Sequence, residues 1–162
     1  MPFTPFHFGP SATVAIPLYR RLDVFTFIFA NIIIDIEPLI VLTYNLNCRV
    51  HGYTHTFIGA ALLGAATGMV CWIFRAQVKK IVVDILKFPF EASKSRMIIS
   101  GILGAVFHVL LDSPLYTDIK PFYPISVNPM YGIIGYSSMY ILCSLLFIPA
   151  IILYAYRITR KQ

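Results

Sequence analysis

Charge is what this chain has least of. Only 12% of its 162 residues are Asp, Glu, Lys or Arg, about half the ~25% of an ordinary soluble domain. With 58% hydrophobic residues and a mean hydropathy of +0.76, the expected solvent is lipid. Acidic residues are the scarcer sign, seven against thirteen Lys and Arg, for a formal charge of +6. Such a balance suits either a nucleic-acid groove or loops at an anionic membrane surface. No clustered basic face with interleaved aromatics is visible, so nucleic acid is set aside and membrane lipid is the expected partner.

Cysteine is sparse too. Cys48, Cys71 and Cys143 form no CxxC pair, and their odd number argues against a disulfide framework. The opening Met1-Pro2-Phe3-Thr4-Pro5 lacks the basic n-region and cleavage site of a secretory signal, so the first segment is expected in the mature protein. A single domain over residues 1–162 is expected at this length.

Long apolar runs are abundant. Leu22 to Tyr44, His55 to Phe74 and Tyr131 to Tyr156 are each long enough to cross a bilayer, which takes about 20 residues. Met97 to Leu111 is shorter and ends at Asp112. The stretch from Phe3 to Tyr19 is uncharged but broken by Pro5, Pro10 and Pro17, which leaves a kinked span and a re-entrant half-helix both open. Residues 75–96 mix Lys and Arg with apolar side chains, the pattern of an amphipathic surface helix followed by a loop. The fold class is therefore an all-α membrane bundle of four to five embedded segments.

Basic residues set the orientation. Arg20 and Arg21, the residues from Arg75 to Arg96, and Arg157, Arg160 and Lys161 fall on one side; Arg49 and Lys120 fall on the other. The positive-inside rule makes the first set cytoplasmic and puts Met1, the His51 loop and the loop from Asp112 to Met130 outside. At about 1.5 Å per residue, His7, Asp35, His108 and Asp112 then lie roughly 20, 22, 18 and 24 Å above the nearest cytoplasmic Arg, and His55 near 30 Å. These polar groups converge on the outer half of the bilayer.

An ionisable residue there is a functional candidate, because a charge at mid-bilayer costs about 2.5–3.5 kcal/mol even on the lenient scale. Asp35 and Glu37 stand two apart, so a regular helix would point them to opposite sides; Pro38 is the residue that would loosen it. Asp35 is the preferred ligand and Glu37 the outer or substrate-facing acid. His108 and Asp112 stack at i and i+4. His51 and His55 share that spacing, reminiscent of motifs in which one helical turn presents two ligands. His7, Asp35, His51, His55, His108 and Asp112 make a ligand set suited to Zn²⁺, with Mn²⁺ or Fe²⁺ as alternatives, for one or two ions. Asp118 reads as a solvated loop charge, with an extra ligand as the other option. Gly64-x3-Gly68 reads as close helix packing.

The order Pro5-Phe6-His7, Ile34-Asp35-Ile36-Glu37-Pro38, His51-Gly52-Tyr53-Thr54-His55-Thr56 and His108-x3-Asp112 resembles the YdjM-like membrane-bound metal-dependent hydrolases, over residues 1 to about 125. Members commonly carry Pro-Asp-x-Asp at the second motif, where this chain has Glu37. They often carry an arginine where Gly52 stands, so a phosphate clamp there would fall to Arg49. A more distant similarity is to zinc-dependent phospholipase C and single-strand nucleases, but the second His-x3-Asp pair of those enzymes is missing. The resemblance implies a plasma-membrane hydrolase with its site on the extracytoplasmic side, a metal-activated water, and Asp35 or Glu37 as catalytic base. A lipid or lipid-linked (phospho)ester is the expected substrate. An ion-transport site or a structural metal is the alternative from another class. The sequence leaves oligomeric state open.

Overall fold

A hydrophobic run becomes a helix cleanly where its first backbone N–H groups find acceptors. Asp23 supplies one: its Oδ1 accepts from Thr26 N at 2.8 Å and from the Thr26 hydroxyl at 2.5 Å. Thr56 supplies another, its hydroxyl accepting from Gly59 N at 2.9 Å. In the computed structural model, which describes residues 4–160, these caps open α2 (Val24–Ile33) and α4 (Phe57–Ile73). The described residues are helical or irregular, with no strand among them.

α2 breaks at Ile34 and Asp35 and resumes as α3 (Ile36–Thr43); together they make a 20-residue span. α4 is followed by α5 (Arg75–Lys79) and a π-helical stretch, Lys80–Ile85, turned by 82° from it. That bend carries the basic segment away from the span, as its mixed charge and apolar pattern predicts. α6 (Lys94–Asp112) is a 19-residue span, and α7 (Tyr136–Leu145) with α8 (Phe147–Thr159) make a third of 24 residues. Three helices are thus long and apolar enough to cross a membrane, or four with the bent pair. The opening stretch forms a 3-10 turn, Thr4–His7, and then α1 (Phe8–Ala15). Eight residues rise about 12 Å against a core of about 30 Å, so α1 has the length of a half-helix.

Small residues hold the centre. Ala30, Ala60 and Ala105 are fully buried where α2, α4 and α6 meet, and a methyl added at Gly64 or Gly101 would collide with the other's carbonyl oxygen. The expected Gly64-x3-Gly68 stripe therefore does pack closely, its two glycines lying against α6. Large side chains on the same helix face outward: Ile58, Leu62 and Ile73 are more than 60% exposed. Water would penalise that arrangement; lipid does not.

The two ends differ in charge. At one, the Arg157 guanidinium lies 4.1 Å above the Tyr19 ring and the Tyr154 hydroxyl donates to Leu86 O at 2.6 Å. At the other, Phe57 N donates to Pro121 O at 2.8 Å, so the loop after α6 closes over the start of α4. This grouping matches the basic and non-basic sides read from the sequence, although Met1 and Lys161 lie outside the described residues.

Candidate metal centre

One helical turn sets the base of the site. α6 places His108 and Asp112 at i and i+4, with His108 Nε2 3.3 Å from Asp112 Oδ2. Asp35 approaches from the break between α2 and α3, its Oδ1 3.3 Å from His108 Nε2 and 3.7 Å from His55 Nε2. His55 closes a 3-10 turn, Tyr53–His55, ahead of α4. Ligand atoms of Asp35, His55, His108 and Asp112 all lie within 4.8 Å of one another. Three of the four residues are buried.

The break at Ile34 and Asp35 resolves the two-apart problem of the acids. A continuous helix would send Asp35 and Glu37 to opposite faces; the interrupted one brings them to the two sides of a single ring. Asp35 faces His55 Nε2, while Glu37 Oε2 stands 3.8 Å from His55 Nδ1. Thr54 ties that outer side together. Its backbone N–H donates to Glu37 Oε2 at 3.1 Å, its hydroxyl donates to the same oxygen, and His55 Nδ1 lies 3.2 Å from Thr54 Oγ1.

His7 does for His108 what Thr54 does for His55. Its Nδ1 lies 3.0 Å from His108 Nδ1 and its Nε2 lies 3.2 Å from Asp112 Oδ1. One assignment of tautomers that satisfies this network puts protons on His108 Nδ1, His7 Nε2 and His55 Nδ1. Both His55 and His108 then present an unprotonated Nε2 to the same carboxylates. Neither Nε2 has a hydrogen-bond partner among the described residues. Buried polar atoms left this way call for a partner. Two ligands about 2.1 Å from an ion in tetrahedral geometry stand ~3.4 Å apart, close to the 3.3 and 3.7 Å approaches here. Two imidazole nitrogens and two carboxylates also form a donor set suited to a divalent transition metal. The cluster fits a metal ion.

Of the six ligands read from the sequence, four meet at this point. His7 touches two of them from outside. His51 stands apart: it sits on a bend rather than a helical turn, so the one-turn presentation with His55 does not form. Its backbone N–H donates to Asp118 Oδ2 at 3.1 Å, and its Nδ1 lies 2.9 Å from Asp118 Oδ1. Its ring lies 4.8 Å from that of His55 and 4.3 Å from that of Tyr116, centroid to centroid. Burial, with His55 alongside, holds His51 below the ordinary histidine pKa despite Asp118. Asp118 is thus the partner of His51 rather than a free loop charge. Thr54 had no role assigned from sequence; its signal was a hydroxyl directly before a motif histidine.

The structure holds two cavities, and none of Asp35, His55, His108 or Asp112 is among the residues lining either. A cleft of about 520 Å³ is walled by apolar side chains, among them Phe8, Ile28, Ile32, Phe88 and Tyr154. A second, of about 560 Å³, is polar and includes Glu37, Arg49, His51, Asp118 and Lys120 in its lining. Along the α2–α3 span, Ile32 lines the first, Glu37 the second, and Asp35 lies between them.

Comparison with known proteins agrees with the motif order. No curated protein and no solved structure matches the chain. A family model described as YdjM inner membrane protein matches residues 4–161. That match takes in every motif of the cluster, and the chain belongs to the YdjM inner membrane protein family.

Proposed function

We propose that this protein is a membrane-bound metal-dependent hydrolase acting on a lipid or lipid-linked (phospho)ester from the extracytoplasmic half of the bilayer. The observation that carries the reading is the convergence of two imidazole nitrogens, His55 Nε2 and His108 Nε2, with the carboxylates of Asp35 and Asp112, ligand atoms of all four lying within 4.8 Å of one another. Asp35, His55, His108 and Asp112 would hold the ion. When bound, a divalent metal, Zn²⁺ first and Mn²⁺ or Fe²⁺ next, supplies Lewis acidity that acidifies water and polarises a phosphoryl or carbonyl oxygen.

The protein's own groups divide the remaining work. His7 and Thr54 hold the two imidazoles in the tautomer that leaves Nε2 bare, the usual task of outer partners at metal sites. Glu37 acts through Thr54 and His55 rather than at the cluster itself. Asp35 is the carboxylate placed to take the proton of the attacking water, since its side chain is 17% exposed while those of His55 and His108 are fully buried. The apolar cleft reaches Phe8, next in the chain to His7, and Ile32, three residues before Asp35. A hydrocarbon chain lying there would bring its ester toward the cluster.

Metal content by mass spectrometry on detergent-purified protein tests the reading. Wild type should carry about one ion per chain, and His108→Ala none. Asp35→Asn keeps a ligand oxygen and should retain metal while losing turnover on short-chain lipid esters and phosphoesters. Protein that stays metal-free after reconstitution with Zn²⁺, Mn²⁺ and Fe²⁺ would refute the assignment.

A further inference from the structure

We infer that the polar cavity beside the cluster is a subsite for an anionic, phosphoryl-bearing head group, with Arg49 and Lys120 as its specificity-determining cations. The inference rests on the hydrolase reading for its chemistry, but its own evidence is separate. Four charged residues are among those lining the cavity: Glu37, Arg49, Asp118 and Lys120. The two acids are already engaged. Glu37 accepts from the backbone and hydroxyl of Thr54, and Asp118 accepts from the backbone N–H of His51 and pairs with its ring. Among the described residues neither Arg49 nor Lys120 takes part in an ion pair. The cavity's acids thus have their oxygens occupied, and the groups it leaves to an incoming ligand are its two cations.

Position makes that charge specific. On the side read as extracytoplasmic, Arg49 and Lys120 are the two basic residues of the sequence, and both line this one cavity. They come from loops about seventy residues apart, so their meeting belongs to the fold. The cavity also contains His51, whose ring is 4.8 Å from that of His55, and Glu37, 3.8 Å from His55 Nδ1. A phosphoryl group held there lies next to the metal cluster. Guanidinium and ammonium groups are the side chains that recognise phosphate, the first in fork geometry and the second as a point charge. The apolar cleft reaches Ile32, three residues before Asp35, so the ligand that draws on both cavities is an amphiphile with a phosphoryl head.

Calorimetric titration of detergent-purified protein tests this by binding rather than by activity. The probes are dioctanoyl phosphatidate, dioctanoylglycerol and inorganic phosphate, against wild type, R49Q, K120Q and the double variant. Wild type should bind the phosphatidate at least tenfold more tightly than the neutral diacylglycerol, and the double variant should lose that preference while keeping its metal. Inorganic phosphate binding as tightly as the lipid would support the anion site but assign it to free phosphate. Cys48 lines the same cavity and is exposed, so bound phosphatidate should slow its reaction with a maleimide. Equal affinity for the charged and neutral lipids, or unchanged binding in the double variant, would overturn the inference. Head-group selectivity in a protein that hydrolyses nothing would leave this subsite standing and remove the hydrolase reading alone.

Discussion

Thr54→Val is the sharpest perturbation the centre allows. Valine keeps the volume of threonine and the backbone N–H that donates to Glu37 Oε2 at 3.1 Å; it removes only the hydroxyl. That hydroxyl is 3.2 Å from His55 Nδ1 and donates to Glu37. Its loss leaves a proton on a fully buried imidazole with Glu37 at 3.8 Å as its nearest acceptor. A buried donor without a partner costs about 1–3 kcal/mol, or alternatively the ring adopts the other tautomer and withdraws its lone pair from the cluster. Either route weakens metal binding. Loss of an outer partner at a metal histidine typically costs about 10–100-fold in affinity, equivalent to roughly 1.4–2.7 kcal/mol. Competition with a zinc-binding chelator, read as zinc released against chelator concentration, measures it directly. Thr67→Val is the control: its hydroxyl donates to Leu63 O at 2.8 Å within α4, away from the centre, and should leave affinity unchanged. A Thr54→Val protein that holds zinc as tightly as wild type would refute the tautomer argument and the role given to Glu37.

Gly101→Val should lower thermal stability in detergent by about 1–3 kcal/mol, because the new side chain meets the Gly64 carbonyl across the α4–α6 contact; a midpoint equal to wild type would mean the two helices are not packed this closely. Asp23→Ala should cost about 0.5–2 kcal/mol through loss of the α2 cap, with metal content unaffected. Burial raises the Asp23 carboxyl pKa above its ordinary value, so its contribution is fullest at low pH and declines as pH rises through that raised value. Asp23→Asn should accordingly gain in thermal midpoint relative to wild type as pH increases, and a constant difference would contradict the burial argument. In intact cells, a membrane-impermeant maleimide should label Cys48, which is exposed, but not Cys71 or Cys143, which are buried; labelling only after permeabilisation would reverse the orientation.

The fold was legible because lipid allows few ways to satisfy a backbone, so length and hydropathy alone locate helices. The span over Leu22 to Tyr44 corresponds to Val24–Thr43 within the usual uncertainty of helix ends, while Met97 to Leu111, read as a shorter segment, extends back to Lys94 and reaches spanning length as Lys94–Asp112. The i,i+4 pair His108 and Asp112 was legible for the same reason: once α6 is a helix, its periodicity fixes their common face. The opening stretch was not, since three prolines permit both a kinked span and a short helix.

Sequence by itself determined the solvent, the helices and the chemical identity of the polar residues, all of which follow from composition and local periodicity. Only the tertiary structure decided which of those residues meet. Whether Asp35 and Glu37 share a site depends on a backbone break, whether His51 joins His55 depends on a bend at His51, and whether Arg49 and Lys120 line one cavity depends on two distant loops. Such juxtapositions are set by packing between segments far apart in the chain, and no local pattern encodes a distance across them.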